Sequence, residues 1–397
     1  MDLTLTFCYT QSVPLRFAAV FAGGATLQSG AEIRPFEPDW GNARAGKHDR
    51  EAIGFLSASW RLTRMGSRNA MQIAVIGAGV MGLVTAHQCA LRGGRVTVYE
   101  QRAEAGRGCS WYAGGMLAAW CEMESAEPLI GELGLESLAY WKTHFSHVVE
   151  KGTLVIAPPR DLPDLKRFAA RTTLHEWIGR EAIAALEPDL AGRFETALFF
   201  EREAHLDPRD TLAALKAKLT DEFGVMFVMD HAVTADAIDA DHIFDCRGYE
   251  ARDALHDLRG VKGEMLILRT KEVSLSRPVR LVHPRIPVYI VPRADHHFMV
   301  GATMIESGDR TRFSARSMVE LLNAAYAVHP AFGEAEIVEM GTDVRPAFAD
   351  NLPRIRRDGN ILRLNGLYRQ GYLGAPALAR RAAEIVFEQK SFPEVER

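Results

Sequence analysis

The chain has 397 residues, of which 47% are hydrophobic and 25% are charged, as is usual for a globular protein. This length exceeds what one compact core usually holds, so it predicts more than one domain. The net charge of -4 disfavours nucleic acid as a partner, because phosphate binding requires a basic surface. The five cysteines are odd in number and lack metal-ligand spacing, which predicts reduced thiols, a cytoplasmic location and no metal site.

The first 70 residues differ from the rest of the chain. Residues 1–70 mix Gly, Arg, Pro and Trp with little periodicity, and the first clear strand begins at Met71. This contrast predicts an N-terminal extension outside the fold, with Met71 or Met65 as the true start. The alternative is a short, loosely attached N-terminal segment. The segment matches a signal peptide poorly, and no apolar run reaches the ~20 residues of a membrane span, so no stable membrane association is expected.

A glycine-rich turn follows the first predicted strand, Gln72–Ile76, and opens a predicted helix. Its GxGxxG pattern assigns Gly77 to the tight turn, Gly79 to close approach of a pyrophosphate and Gly82 to helix–strand packing. Glu100 ends the second predicted strand, where an acceptor for a ribose hydroxyl belongs. The pattern predicts a bound dinucleotide, FAD or NAD in preference to NADP, because an acid disfavours a 2′-phosphate. A chance glycine turn in an ordinary βαβ unit is the alternative.

The loop after Glu100 is rich in Gly, Ser and Ala and does not return quickly to a third strand. Its AGGMLA segment, residues 113–118, resembles the amino-acid-oxidase branch of the FAD-dependent oxidoreductases, and especially the glycine oxidases of thiamine biosynthesis. Small residues suit a backbone that is pressed against a cofactor. The alternative is a small-residue loop packed in a core.

The middle of the chain predicts a second sheet. A helix is expected from Asp207, since Asp is favoured at the N-cap and Pro at the first helical position. A strand at 241–246 is expected to close the nucleotide-binding fold. The segment 261–269 is expected to alternate in burial, and short antiparallel strands follow it, with turns at 284–287 and 294–296.

These elements and the resemblance predict an α/β fold. In it, an FAD-binding Rossmann-type domain is interleaved with a substrate domain built on a largely antiparallel sheet. The FAD-binding domain is predicted to comprise residues 71–150, 206–260 and 341–397. The substrate domain is predicted to comprise residues 151–205 and 261–340. The resemblance also implies a homo-oligomer.

Two further segments resemble the substrate site of this family. Residues 344–346 (VRP) are similar to a stretch of glycine, sarcosine and D-amino-acid oxidases, which implies that Arg345 binds the substrate carboxylate. A planar guanidinium fits a carboxylate with two parallel hydrogen bonds; the alternative is a surface arginine or an ion-pair partner. The YIVPR segment implies that Tyr289 is an active-site tyrosine, and Met304 is a second candidate wall residue; ordinary packing is the alternative for both. Pro287 stands where a relative can carry a polar residue.

The segment GLYRQGYLGAP, residues 366–376, lies between the predicted strand Ile361–Asn365 and a helix expected to begin near 373–375. A helix N-terminus carries partial positive charge, which would stabilise the negative charge that develops on a reduced flavin. The resemblance implies that residues 367–373 contact FAD and that Arg369 faces the substrate carboxylate beside Arg345. The alternative for Arg369 is a surface turn residue.

The resemblance implies non-covalent FAD, a small amino-acid substrate and dioxygen as reactants. It implies hydride transfer from Cα of glycine to flavin N5, with sarcosine oxidase or D-amino-acid dehydrogenase activity as the near alternatives. An NAD-dependent dehydrogenase and a non-catalytic flavin-binding module are the more distant ones. The cysteines Cys109 and Cys246 are interpreted as small apolar residues. The predicted FAD-binding residues are Gly77, Gly79, Val80, Met81, Gly82, Glu100, Gln101, Cys109, Ser110, Gly114, Gly115, Met116, Val233, Leu367, Tyr368, Arg369, Gln370, Gly371, Tyr372 and Leu373.

Overall fold

Buried strands form one mainly parallel and one mainly antiparallel sheet. The computed structural model describes residues 70–282 and 288–396. The predicted N-terminal extension (apart from residue 70), the turn at 284–287 and Pro287 lie outside the described residues. The strands are β1 Gln72–Ile76, β2 Arg95–Tyr99, β3 Met116–Leu117, β4 Thr153–Ile156, β5 Glu176–Gly179, β6 Thr196–Phe200, β7 Ala204–His205, β8 Met226–Val228, β9 His242–Asp245, β10 Arg259–Arg269, β11 Val279–Leu281, β12 Val288–Pro292, β13 His297–Gly301, β14 Ile305–Glu306, β15 Glu336–Ala347, β16 Arg354–Asp358 and β17 Ile361–Asn365. The α-helices are α1 Val80–Leu91, α2 Ala119–Glu122, α3 Pro128–His144, α4 Leu162–Arg171, α5 Arg180–Leu186, α6 Pro208–Asp221, α7 Ala315–Val328 and α8 Gly371–Phe387.

The first sheet contains six of the described strands in the order β16-β17-β9-β1-β2-β8. Its strands from β17 to β8 are parallel, and β16 is an antiparallel edge strand. After the exposed Gln72, strand β1 is apolar and buried throughout (IAVI), as expected for a parallel strand that helices cover on its faces. The strand, glycine turn, helix and strand predicted for residues 72–99 are confirmed.

Helices α1, α3 and α8 pack beside one another and form the main apolar core with the first sheet. Helix α8 begins at Gly371, so the start predicted near 373–375 is two to four residues too late. The glycine-rich stretch forms the first helical turn, in which the Gly374 amide donates to the Gln370 carbonyl at 2.7 Å. Pro376 lies within α8 and cannot donate to the Tyr372 carbonyl four residues earlier. The indole Nε1 of Trp141 donates to that carbonyl instead, at 2.7 Å.

The second sheet contains nine described strands, of which eight follow the order β14-β10-β13-β12-β11-β4-β6-β5, while β15 pairs with β10. All pairs are antiparallel except β4 with β11, so the predicted α/β fold with a largely antiparallel second sheet is confirmed. Helix α7 covers one face of this sheet and packs its Leu321 and Ala325 into the second apolar core. No helix among the described residues is both long enough and apolar enough to cross a membrane.

Strand β10 is buried on both faces, so the prediction of alternating burial in this segment is wrong. Leu266 and Leu268 point into the core under α7, whereas Gly263 and Met265 line a large cavity on the other face. The predicted domain boundaries at 260/261 and 340/341 fall inside β10 and β15. The division into two domains therefore stays a prediction.

Candidate active site

A cavity of about 720 Å³ lies where the carboxyl ends of the parallel strands meet the inner face of the second sheet. Its wall combines the β1–α1 turn, the loop after β2, residues 113–116, strands β10, β12 and β15, and residues 364–373. Ligands of open α/β sheets bind outside the carboxyl ends of the strands, and this volume is typical of a ligand pocket.

The β1–α1 turn gives each glycine of the GxGxxG pattern a different task. Gly77 has φ +98°, and its amide donates to the Tyr99 carbonyl at 2.7 Å, which fixes the turn against β2. A Cβ on Gly82 would overlap the Gly77 carbonyl oxygen, so helix α1 can pack this closely only with glycine there. Gly77 and Gly79 line the cavity, whereas Gly82 does not, which limits Gly82 to packing.

The carboxylate of Glu100 is buried at the end of β2 and is held by backbone amides. It accepts from the Ala78 amide at 2.7 Å and from the Arg102 amide at 3.0 Å. The Ser110 hydroxyl accepts from the amide of Val80 at 3.0 Å, at the N-terminus of α1. The N-terminus of α1 favours a negatively charged group such as a pyrophosphate. The carboxylate of Glu100 stands where a ribose hydroxyl would be bound. This end of the cavity fits the adenosine and pyrophosphate of a dinucleotide.

The loop at 113–116 lies tightly against the second sheet. A Cβ on Gly114 would lie 2.7 Å from the Tyr289 ring, and a Cβ on Gly115, which has φ +74°, would overlap the Leu206 carbonyl. The buried guanidinium of Arg293 donates to the carbonyls of Gly114 and Leu206 at 2.7 and 2.8 Å. Arg293 ends the YIVPR segment that contains Tyr289, but it was not among the predicted site residues.

The structure brings the predicted site residues together. Every predicted FAD-binding residue except Gly82 lines the cavity, as do Tyr289, Met304 and Arg345. Burial raises the pKa of Cys109 to about 11 and raises that of Cys246 further, so both thiols stay protonated at neutral pH. This agrees with their interpretation as small apolar residues.

Arg345 differs from the other cavity arginines because no described acidic residue pairs with it. The other described arginines of the wall each form an ion pair with a carboxylate: Arg102 with Glu100, Arg107 with Glu104, Arg247 with Asp245, Arg280 with Glu122, Arg310 with Asp343 and Arg369 with Glu122. Within residues 70–282 and 288–396, Arg345 forms no ion pair, and its Nη1 donates to the Thr303 carbonyl at 3.0 Å. Its guanidinium packs on Gly263, where a Cβ would overlap it. A cation of this kind is suited to bind an anionic ligand.

Arg369 has a different environment from the one that its predicted role requires. Its Nη2 lies 2.9 Å from Glu122 Oε2 and 2.8 Å from the Ser125 hydroxyl. Burial alone would raise the pKa of Glu122, but Arg369 and Arg280 hold it below its usual range. The charge of Arg369 is therefore already balanced, and its role as a second carboxylate anchor stays a prediction.

Glu203 supports the short helix that carries Glu122, and sequence reasoning did not find it. It is 1% exposed, and its Oε1 accepts from the Cys121 amide at 2.7 Å. Burial raises the pKa of Glu203 to about 8, and the nearby Glu122 acts in the same direction. The protonated carboxyl is thus the form that the fold favours at neutral pH.

Glu203→Gln is expected to stabilise the protein increasingly as the pH rises. The folded pKa of about 8 exceeds the ordinary value of 4.5, so the wild type loses stability between these two pH values. The loss is at most about 1.4 kcal/mol per pH unit, and glutamine, which is uncharged, removes it. Thermal melts at pH 5, 7 and 9 measure the difference. The exposed neighbour Glu201 provides the control, because Glu201→Gln should follow the wild type at all three pH values. A difference in melting temperature between Glu203→Gln and the wild type that does not change with pH would contradict the prediction.

The glycine turn and the acid at the end of β2 indicate a dinucleotide-dependent enzyme. Its cavity holds a cation that has no carboxylate partner among the described residues. The chain belongs to the family described as FAD dependent oxidoreductase, which it matches over residues 72–385. Family membership decides between FAD and NAD, so the cofactor is FAD.

Several relatives support this assignment. A Rhizobium etli protein named as a thiamine biosynthesis oxidoreductase, ThiO, is 54% identical over 82% of this chain and 99% of its own length. The glycine oxidase of Geobacillus kaustophilus is 25% identical over 79% of this chain and 92% of its own length. Its crystal structure covers 81% of this chain and 96% of its own at a TM-score of 0.69 with 24% identity. The iminodiacetate oxidase of Chelativorans sp. BNC1 has the same TM-score with 23% identity, over 80% of this chain and 96% of its own.

Proposed function

We propose that this enzyme oxidises glycine with FAD and dioxygen, forming the imine and hydrogen peroxide. The imine either supplies thiazole synthesis in thiamine formation or hydrolyses to glyoxylate and ammonia. The relative that is 54% identical is named for thiamine biosynthesis, and a more distant one is named a glycine oxidase. The observation that carries the proposal is the guanidinium of Arg345 in the cavity wall, which has no carboxylate partner among the described residues and offers a site for one small carboxylate.

Arg345 would hold the substrate carboxylate through two parallel N–H donors, which fixes the direction of the Cα–H bond. Tyr289 stands on the adjoining wall, where burial raises the pKa of its hydroxyl. The hydroxyl therefore stays protonated and can donate a hydrogen bond to the substrate. When bound, FAD supplies the acceptor for the hydride that leaves Cα. The proton of the substrate amine leaves to water, since this reaction needs no dedicated protein base.

The roles proposed for the FAD-binding residues follow from their places in the cavity. Glu100 would accept from the ribose, and the turn at Gly77 and Gly79 would hold the pyrophosphate. The N-terminus of α8, after Gln370, would lie beside the flavin, where its partial positive charge stabilises negative charge. FAD is proposed to be non-covalent, and the enzyme is proposed to be a cytoplasmic homo-oligomer.

Reduction of the bound flavin in the absence of dioxygen tests this function. Glycine, sarcosine and D-alanine are added in turn to the purified holoprotein, and the loss of flavin absorbance near ~450 nm is followed. We expect glycine to reduce the flavin fastest and to produce hydrogen peroxide when dioxygen is admitted. Preferential reduction by D-alanine without dioxygen consumption would indicate a D-amino-acid dehydrogenase, and preferential use of sarcosine would indicate a sarcosine oxidase. If no small amine reduces the flavin, the protein is a non-catalytic flavin-binding module.

A further inference from the structure

A compact group of charges lies beside the proposed substrate position, and we call it the Glu122 cluster. Its members are Glu122, Arg280, Arg369 and Glu124. Glu122 binds both guanidinium groups, with its oxygens 3.3 Å from Arg280 Nη1 and 2.9 Å from Arg369 Nη2. Glu124 lies 3.7 Å from the other side of Arg280 and does not line the cavity. Glu124 also lies 3.4 Å from Arg171, so Glu122 is the described carboxylate of the cluster that the two cavity arginines share.

The cluster faces the same end of the cavity as Tyr289 and Arg345. Arg280 is the direct cross-strand partner of Tyr289 in the pairing of β11 with β12, and it is 4% exposed. Glu122, Arg280 and Arg369 all line the cavity together with Arg345. Each of the four also lies close enough to influence the titration of the Tyr289 hydroxyl. The proposed substrate end thus contains three described guanidinium groups.

Glu122 leaves one of these three cations for a ligand. Arg280 and Arg369 are bound to its carboxylate, whereas Arg345 has no carboxylate among the described residues. The amide of Gln370, which is 5% exposed, donates to Glu122 at 3.2 Å. The Oε1 atom of Gln370 is buried without a hydrogen-bond partner among the described residues. A second carboxylate here would be repelled by the charge of Glu122, and this repulsion is strong at low dielectric.

We propose that Glu122 is a specificity-determining residue that restricts the substrate to amino acids with a single carboxylate. It does so by neutralising Arg280 and Arg369, which could otherwise bind a second carboxylate. Repulsion against an unwanted group is as effective a source of selectivity as attraction of the wanted one. This inference rests on the proposed function, because it assumes that Arg345 holds the carboxylate of an amino-acid substrate.

The test compares glycine with iminodiacetate, which is glycine that carries a second carboxymethyl group on its nitrogen. Steady-state kcat/KM for both is measured in the wild-type holoenzyme and in Glu122→Gln. The variant keeps the shape of the side chain but frees one positive charge. We expect the ratio of kcat/KM for iminodiacetate to that for glycine to rise at least about tenfold, which corresponds to about 1.4 kcal/mol. An unchanged ratio, including a parallel loss for both substrates, would overturn the proposal and leave Glu122 a structural residue.

Two further variants distinguish an effect of charge on the kcat/KM ratio from an effect of altered folding. Glu124→Gln removes a carboxylate that does not face the cavity and that also pairs with Arg171, while Arg280 keeps its closer partner Glu122. The ratio should therefore stay within about threefold of the wild type. Arg280→Gln makes the cluster more negative, so the ratio should fall below the wild-type value even if Glu122→Gln cannot be purified. A ratio that rises in Arg280→Gln would contradict the charge argument. Failure of the wild type to oxidise glycine would refute the proposed function instead. Glycine oxidation by the wild type is therefore measured before any variant is compared.

Discussion

Arg345→Ala is expected to lower kcat/KM for glycine by at least about 100-fold, mainly through a higher KM, while FAD stays bound. The variant loses two charge-assisted hydrogen bonds to the substrate carboxylate, each worth about 1.5–3 kcal/mol. No other described cavity arginine is free of a carboxylate to replace them. Steady-state kinetics with glycine, together with the flavin absorbance of the purified variant, measure both parts of this expectation.

Two variants define the controls for Arg345. Arg345→Lys keeps the charge but loses the planar fork, so its kcat/KM should fall between those of the wild type and the alanine variant. Arg354, on β16, pairs with Asp257 and Asp350 outside the cavity, and Arg354→Ala should stay within about twofold of the wild type. Unchanged turnover of Arg345→Ala at low glycine concentration would refute the assignment.

Gly82→Ala is expected to destabilise the protein and to weaken its hold on FAD. Alanine gains about 1 kcal/mol over glycine in a helix interior. Its Cβ, however, would overlap the Gly77 carbonyl, which belongs to a hydrogen-bonded turn and cannot move as a flexible side chain can. We expect the overlap to outweigh the gain, with a net loss of about 2 kcal/mol or more. Thermal melts and the FAD content of the purified variant measure the two effects.

Gly131, in helix α3, is the matched control for Gly82. A Cβ there would meet the sulfur of Met123 at 2.6 Å, which is the far end of a flexible side chain and not backbone. Gly131→Ala should therefore be neutral or stabilising and should keep its FAD. If Gly82→Ala has the same melting temperature as Gly131→Ala and retains FAD, the close packing of α1 on the turn is not required.

The nucleotide-binding half could be read from sequence because its signals are local. Strand β1, the glycine turn, helix α1 and Glu100 lie within thirty residues of one another, and the steric reasons for Gly77 and Gly82 are visible in the structure. Burial of β10 on both faces could not be read in this way. One face is covered by helix α7, and the other borders a cavity whose walls come from the whole chain.

In the candidate site, too, residues in local motifs could be predicted, whereas contacts between distant residues could not. Arg345 and Tyr289 were found because they stand in short motifs that resemble a known family. The ion pair of Glu122 with Arg280 was missed because its members are 158 residues apart, and nothing in either local sequence indicates the other. A guanidinium in a pattern can be recognised, but whether a carboxylate neutralises it depends on the tertiary structure. That distinction separates Arg345 from Arg369.

The position of α8 along the chain has a consequence for how the enzyme is made. This helix packs against α1 in the main core, and the preceding residues 367–370 complete the cavity wall. During synthesis the buried surface of α1 therefore emerges long before its covering, and it stays exposed until the last described strand and helix leave the ribosome. We therefore expect FAD to be incorporated late in biogenesis. A nascent chain that stalls before Ile361 would be a client for chaperones and not a flavoprotein.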